Sequence, residues 1–226
     1  MKLLRLVNED MKKYIIFDFD GTVIFTDEVI IASWQATYEK YLGYRETREN
    51  IRETFGETLR HTVEERFPNC PVDEVIAYYR EYQQAHCAEL VEIFDGIEDM
   101  LKSLKEHGYK LAIATSRTKE GTLNYLKQFG ITEYFDAVVS MDDVSKHKPD
   151  PESCLVAIEK LGGTPEESVM LGDTKYDMGC ANNAGVDSIL IGWNKLVDLE
   201  KVRESGFVPK YYIEKPEDLC RLLESM

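Results

Sequence analysis

The 226-residue chain has no apolar run long enough to cross a bilayer, no Cys-x-x-Cys pair and no excess of Lys and Arg. The first absence predicts a protein without a membrane span. The five cysteines, Cys70, Cys87, Cys154, Cys180 and Cys220, are scattered and odd in number, which speaks against both a disulfide scaffold and a structural zinc site. Lys and Arg total 27 against 42 Asp and Glu, a formal net charge of −15, so a general nucleic-acid surface is not expected. An anionic substrate is still compatible, because one bound divalent cation and one Lys or Arg can set a local field against the global charge. The opening MKLLRLVNEDMKKY is basic and apolar, but Asn8, Glu9 and Asp10 interrupt it. It does not read as a signal peptide; residues 1–10 are expected to be a short leading arm and the protein to sit in a reducing cytoplasm. Short-period repeats and low-complexity tracts are also lacking.

What remains is the composition of a soluble globular protein, 43% hydrophobic and 31% charged, long enough for one sizeable core and a smaller subdomain. The stretch that organises it is YIIFDFDGTV, Tyr14 to Val23. Ile15, Ile16 and Phe17 predict a buried strand ending in a charged turn. Side chains alternate along a strand, so Asp18 and Asp20 project to one side while Phe19 points into packing. Two carboxylates at one small site repel unless a proton or cation compensates, which makes a divalent metal with oxygen ligands their natural companion. Gly21 lets the backbone turn sharply or approach a ligand. The ordinary alternative is an Asp-Gly turn with no further role.

From Thr26 to Glu89 no strand pattern appears. Apolar residues recur at helical spacing through Val29, Ile30, Trp34, Tyr38 and Leu42 and again from Val72 to Leu90, with breaks at Gly43, Gly56, Pro68 and Pro71. More than sixty residues exceed a simple crossover, so this is expected to be an inserted helical subdomain of three or four helices. After Asp95-Gly96 helices and strands alternate. The predicted strands are Tyr109 to Ala114, Asp136 to Ser140, Ser168 to Gly172 and Val186 to Ile191. The predicted helices begin near Ile97, near Lys119, at Asp150-Pro151 as N-cap and first-turn proline, and around Tyr176. Such alternation with near-continuous apolar strands indicates an α/β parallel sheet covered on both faces.

Open parallel sheets bind ligands beyond their carboxyl ends. At those ends stand Asp18 and Asp20; Thr115, Ser116 and Arg117; Ser140, Met141 and Asp142 with Lys148 close behind; and Asp173 with Asp177. The set combines acids suited to a metal with hydroxyl, amide and ammonium donors suited to a phosphate. Each alone has a plain explanation: helix capping for Thr115 and Ser116, a surface lysine for Lys148, turn and first-turn chemistry for Asp173 and Asp177.

In order and spacing, Asp18-Phe19-Asp20-Gly21-Thr22, Thr115 after an apolar strand, Lys148-Pro149-Asp150-Pro151, and Gly172-Asp173 with Asp177 resemble the haloacid dehalogenase superfamily. The likeness is greatest to its phosphoglycolate phosphatase-like and β-phosphoglucomutase-like branch with a helical cap. It covers nearly all of the chain after Met11 and implies a doubly wound, Rossmann-like core from 1–25 and 90–226 with a cap at 26–89. It further implies that Asp18 is a nucleophile forming an aspartyl-phosphate and that Asp20 is the general acid and base. Thr115, Ser116 and Lys148 would bind phosphate, with backbone amides near Gly21 and Ser116 helping. Mg2+ would be held by Asp18, Asp173 and the backbone carbonyl of Asp20, with Asp177 binding directly or through water. One departure is Phe25, where many relatives have Asp, at the hinge into the cap.

The implied activity is hydrolysis of a small phosphorylated metabolite such as phosphoglycolate or a sugar phosphate. A β-phosphoglucomutase-like mutase and an inorganic pyrophosphatase are alternatives; Asp20 argues against a dehalogenase or phosphonatase, and the intact acid set against a non-catalytic phosphate-binding module. Specificity is expected in the cap, with Arg45, Arg48, Arg52, Arg60, His61 and the turn at Gly56 as candidates, and Arg117 as a further anion contact. The expected partner is the small substrate alone, with neither nucleic acid nor membrane, and the expected state a monomer or weak homodimer.

Overall fold

The apolar run before Asp18 forms a strand buried on both faces, as a parallel sheet covered by helices requires. In the computed structural model, which describes residues 11–195, 197 and 199–226, β1 (Tyr14–Phe17) is followed by β2 (Ile24–Phe25), β3 (Glu92–Ile93), β4 (Lys110–Ala114), β5 (Ala137–Val139), β6 (Ser168–Gly172), β7 (Asp187–Ile191) and β8 (Tyr211–Ile213). The leading arm expected at 1–10 lies outside the described residues. Six of these strands form one sheet in the order β5-β4-β1-β6-β7-β8, and every neighbouring pair in it is parallel.

Alternation sorts the core. Ile15, Phe17, Leu111, Ile113, Val169 and Leu171 pack on one face with α5 (Ile97–Glu106), α6 (Lys119–Gln128) and α10 (Asp218–Glu224). Ile16, Ala112, Ala114 and Met170 pack on the other with α7 (Glu152–Leu161) and α8 (Lys175–Ala184). A short α9 (Leu199–Glu204) lies between β7 and β8 in sequence. The result is a parallel sheet with helices on both faces, the Rossmann-like α/β architecture. No helix of the described residues is long and apolar enough to cross a membrane.

Between β2 and β3 lie α1 (Asp27–Leu42), α2 (Arg48–Arg52), α3 (Leu59–Arg66) and α4 (Val72–Leu90). They surround an apolar cluster of their own that includes Trp34, Tyr38, Phe67 and Tyr79. The Trp34 ring stacks on Phe67 at 6.0 Å and tilts against Tyr79 at 4.6 Å. The chain enters and leaves these helices through the antiparallel pair β2–β3, where Ile24 faces Ile93 and Phe25 faces Glu92. Phe25, the departure from the family pattern, meets the edge of Phe94 at 5.6 Å. An aromatic contact therefore braces this two-strand junction.

One helix start differs from expectation. Pro151 is the N-cap of α7 rather than its first residue, and Asp150 Oδ1 accepts from the Glu152 N–H at 3.1 Å. Proline has no N–H to offer, so the aspartate closes the turn on the first available donor after it.

Phe67 is fully buried among the helices and away from the sheet. Phe67→Ala should lower the unfolding free energy by about 3–5 kcal/mol, read from the shift of a urea melt; a loss under ~1 kcal/mol would mean that this cluster is not close-packed.

Candidate active site

Because β1 sits between β4 and β6, the residues that follow these three strands share one crevice at the carboxyl edge. The ladder runs a residue past the strands: the Asp18 N–H donates to the Leu171 carbonyl at 2.8 Å and the Thr115 N–H to the Val139 carbonyl at 2.9 Å. Both backbones are thereby fixed where their side chains enter the cleft. Asp173 follows β6, Asp177 lies in the first turn of α8, and Lys148 comes from the loop before α7. Asp18, Thr115, Lys148, Asp173 and Asp177 are each no more than 8% exposed. All of them, with Asp20 and Ser116, line one cleft of about 610 Å3. Phe19 is fully buried in the core between them.

Carboxylate oxygens of Asp18, Asp173 and Asp177 all lie within 4.8 Å of one another. Lys148 Nζ donates to Asp18 Oδ1 and to Asp177 Oδ1, each at 2.7 Å. The other Asp177 oxygen is taken by Thr174 in a capping box, accepting from its hydroxyl at 2.6 Å and its N–H at 3.0 Å. Asp173 accepts from Asn194 Nδ2 at 3.2 Å and from the Thr22 hydroxyl at 3.3 Å. Two glycines make the crowding feasible. A Cβ on Gly21, whose φ is +78°, would stand 2.2 Å from Asp173 Oδ2, and one on Gly172 would stand 2.3 Å from Asp177 Cβ. The turn after Asp20 and the end of β6 must both be side-chain-free for the acids to meet.

Burial and then the neighbouring Asp177 and Asp18 push the Asp173 carboxyl well up from its ordinary range. Burial raises Asp18 to about 7, although Lys148 pulls in the opposite direction. Burial opposes the charge of Lys148, and Asp177 and Asp18 more than offset it, holding the ammonium form. Acids this reluctant to ionise beside one ammonium are ones that a cation would bring into the charged form, and their donor atoms are all hard oxygens. That donor set fits a divalent cation such as Mg2+.

The Asp20 side chain is outside this group. Its carboxylate accepts from Arg117 Nη2 at 2.6 Å and Nε at 2.9 Å, and the Arg117 guanidinium lies over the Tyr125 ring at 4.9 Å. The resemblance assigned only the Asp20 backbone carbonyl to a metal, so its side chain is left for other work. Thr115 Oγ1 accepts from the Arg117 N–H at 3.1 Å.

The other candidate residues make the following contacts. The Gly21 N–H, one of the backbone amides in the stretch expected to help hold a phosphoryl oxygen, donates to the Ile24 carbonyl at 2.8 Å and closes the turn. The Ser116 hydroxyl donates to the Gly56 carbonyl at 3.3 Å, so it ties the helical layer to the sheet edge. Arg45, Arg48, Arg52, Arg60 and His61 do not line the cleft. Arg45 pairs with Glu39, Arg48 with Glu28, Arg60 with Asp73 and His61 with Glu65, all on outer faces. The turn at Gly56 does line it. A Cβ there, at φ +87°, would come within 2.6 Å of Tyr176. The residues that motif spacing missed are Arg80, Gln83, Gln84 and Cys87 on α4. They recur at i, i+3, i+4 and i+7, a polar stripe that helical periodicity could have marked.

The family model "Haloacid dehalogenase-like hydrolase" matches residues 15–191. Pyrophosphatase PpaX of Halalkalibacterium halodurans is 37% identical over 92% of this chain and 95% of its own; the protein of that name from Listeria monocytogenes serotype 4b is 34% identical over 92% and 95%. Among solved structures, one titled "a predicted phosphatase" from Clostridium acetobutylicum superposes with a TM-score of 0.80 at 26% identity, covering 96% of this chain and all of that one.

The crowded acids set a stability test. A carboxyl whose folded pKa is raised binds its proton more tightly when folded, so it costs stability once the pH passes its unfolded value near 3.8, increasingly so up to the folded value of about 7 for Asp18. In EDTA the melting temperature should therefore fall from pH 5 to pH 8, and Asp173→Asn should flatten that fall. Mg2+ at about 100 times its dissociation constant should add about 2.7 kcal/mol to the native chain and little to the variant. Equal Mg2+ gains in both would remove Asp173 from the metal site.

Proposed function

Since the chain belongs to the haloacid dehalogenase-like hydrolase family, we propose that it is a Mg2+-dependent phosphatase working through an aspartyl-phosphate on Asp18, with inorganic pyrophosphate as its substrate. The observation that carries this reading is the Asp18–Lys148 contact at 2.7 Å at the floor of a cleft that also holds Asp20. A nucleophile, a cation for the transferring group and a second carboxyl for the leaving oxygen stand within one small space. The pyrophosphatase name of the two curated relatives supports the choice of substrate.

Asp18 Oδ attacks phosphorus as the bridging P–O bond breaks, and Asp20 gives its proton to the departing oxygen. Lys148 and Thr115 hold the non-bridging oxygens and offset the charge that builds on them. In the second displacement Asp20 takes a proton from the attacking water, the Asp18–phosphorus bond breaks, and phosphate leaves. Asp18, Asp173, Asp177 and the Asp20 carbonyl would hold Mg2+, which supplies positive charge to the phosphoryl oxygens. Helices α1–α4 act as a cap: Gly56 and the stripe on α4 stand over the leaving group and exclude bulk water.

A second reading keeps the same chemistry on a phosphate ester of a small metabolite, with hydrolysis or β-phosphoglucomutase-like transfer as the outcome. It is favoured by the size of the cleft and by Ile30, Trp34 and Tyr79 on its wall, an apolar surface for which pyrophosphate has no use.

With Mg2+, phosphate release from pyrophosphate should exceed that from phosphoglycolate and sugar phosphates. Asp18→Asn should abolish turnover, and Asp20→Asn should lower kcat by about 100- to 10,000-fold with KM little changed. Full turnover by Asp18→Asn would dismiss the nucleophile. Conversion of β-glucose 1-phosphate to glucose 6-phosphate without phosphate release would select the mutase.

A further inference from the structure

We propose that Arg117, supported by Gln83 and Arg80 of α4, forms an anion subsite for the leaving group and makes the cleft selective for phosphoanhydrides over esters of neutral alcohols. The inference rests on the phosphoryl-transfer reading above and concerns the half of the substrate that departs. Among the described residues, the cationic side chains lining the cleft are Arg80, Arg117 and Lys148. Lys148 is held between Asp18 and Asp177 at the transferring end. Only the two arginines remain for charge elsewhere on the substrate.

Arg117 stands where such charge would be. A group that protonates a leaving oxygen must approach it to about 3 Å, and Arg117 Nη2 is 2.6 Å from Asp20 Oδ1. Its guanidinium therefore flanks the departing atom. Nε and Nη2 face Asp20, while Nη1 has a long 3.5 Å contact with Gln83 Oε1. That outer edge is turned toward α4 and the cap side of the cleft. The plane is fixed by the Tyr125 ring beneath it, and the side chain is 12% exposed, so little conformational entropy is lost on binding. Arg80 lies three residues before Gln83 on the same helix and lines the same cleft.

A departing phosphate carries about −1.5 to −2 charges and three strong acceptor oxygens at pH 7, and a planar guanidinium matches two of them. A neutral alcohol offers neither. The nearby carboxylates make this selection sharper, because an anionic leaving group entering an acidic cleft without a cation would be repelled.

The test compares kcat/KM for pyrophosphate with that for p-nitrophenyl phosphate, whose leaving group departs readily but lacks phosphate oxygens, using full-length protein with Mg2+. In Arg117→Gln the ratio should fall by about 10- to 100-fold, mainly through KM for pyrophosphate. Arg117→Lys should restore much of the ratio, and Arg80→Gln, which leaves the Asp20 pair intact, should lower it several-fold. Equal losses on both substrates in Arg117→Gln, with the ratio unchanged in Arg80→Gln, would show that Arg117 only positions Asp20 and would overturn the subsite. A wild type that hydrolyses p-nitrophenyl phosphate without preferring pyrophosphate would overturn the subsite and leave the phosphatase standing. No phosphate release from either would overturn both.

Discussion

The structure depends on one electrostatic arrangement: three carboxylates buried within 4.8 Å of one another, with a single ammonium bonded to two of them. Like charges taken out of water at that separation are unfavourable unless each oxygen has a donor or a cation. The surrounding fold supplies donors from separate segments: Thr174 for Asp177, Thr22 and Asn194 for Asp173, Lys148 for Asp18 and Asp177. The acids left without a full set of donors have the hard oxygen atoms that a divalent cation takes, which is why the proposed chemistry is centred on them. Repulsion tolerated in the folded state becomes binding capacity in the site.

Backbone geometry makes the crowding feasible. Gly21 and Gly172 are required because any side chain there would overlap Asp173 or Asp177. The parallel order, with β1 between β4 and β6, delivers Asp18, Thr115 and Asp173 to neighbouring strand ends. Contacts that join the helical layer to that edge include the Ser116 hydroxyl to the Gly56 carbonyl, the Tyr176 hydroxyl to Glu57, and Arg117 to Gln83. Each lies beside a residue of the cleft, so any movement of α1–α4 changes the surroundings of Asp20 directly.

Much of this was legible in the sequence. Strands such as Ser168–Gly172 announce themselves because burial on both faces demands an unbroken apolar run, and the acids stand out because they end such runs. What stayed hidden is what period and motif do not encode. β2 and β3 are two residues each, too short for alternation to register, and β8 is an edge strand of three with Tyr212 exposed. Which cation of the helical insertion lines the cleft was hidden because charge alone does not tell which side of a helix faces inward: Arg48 and Arg60 pair with acids away from the cleft, whereas Arg80 lines it. The use of the Gly21 N–H in its own turn and the pairing of Asp20 with Arg117 across 97 positions are tertiary facts. No local pattern contains them.

If Asp18 is the group on which the crowd of acids and the lysine converge, the enzyme must pass through a covalent acyl phosphate at that side chain. Rapid acid quenching during turnover of pyrophosphate with Mg2+, followed by mass spectrometry of the peptides, looks for it directly. The account predicts a phosphoryl adduct confined to the peptide that carries Asp18 and located on that carboxyl. An adduct on a different residue, or none in a sample quenched at full turnover, would contradict it.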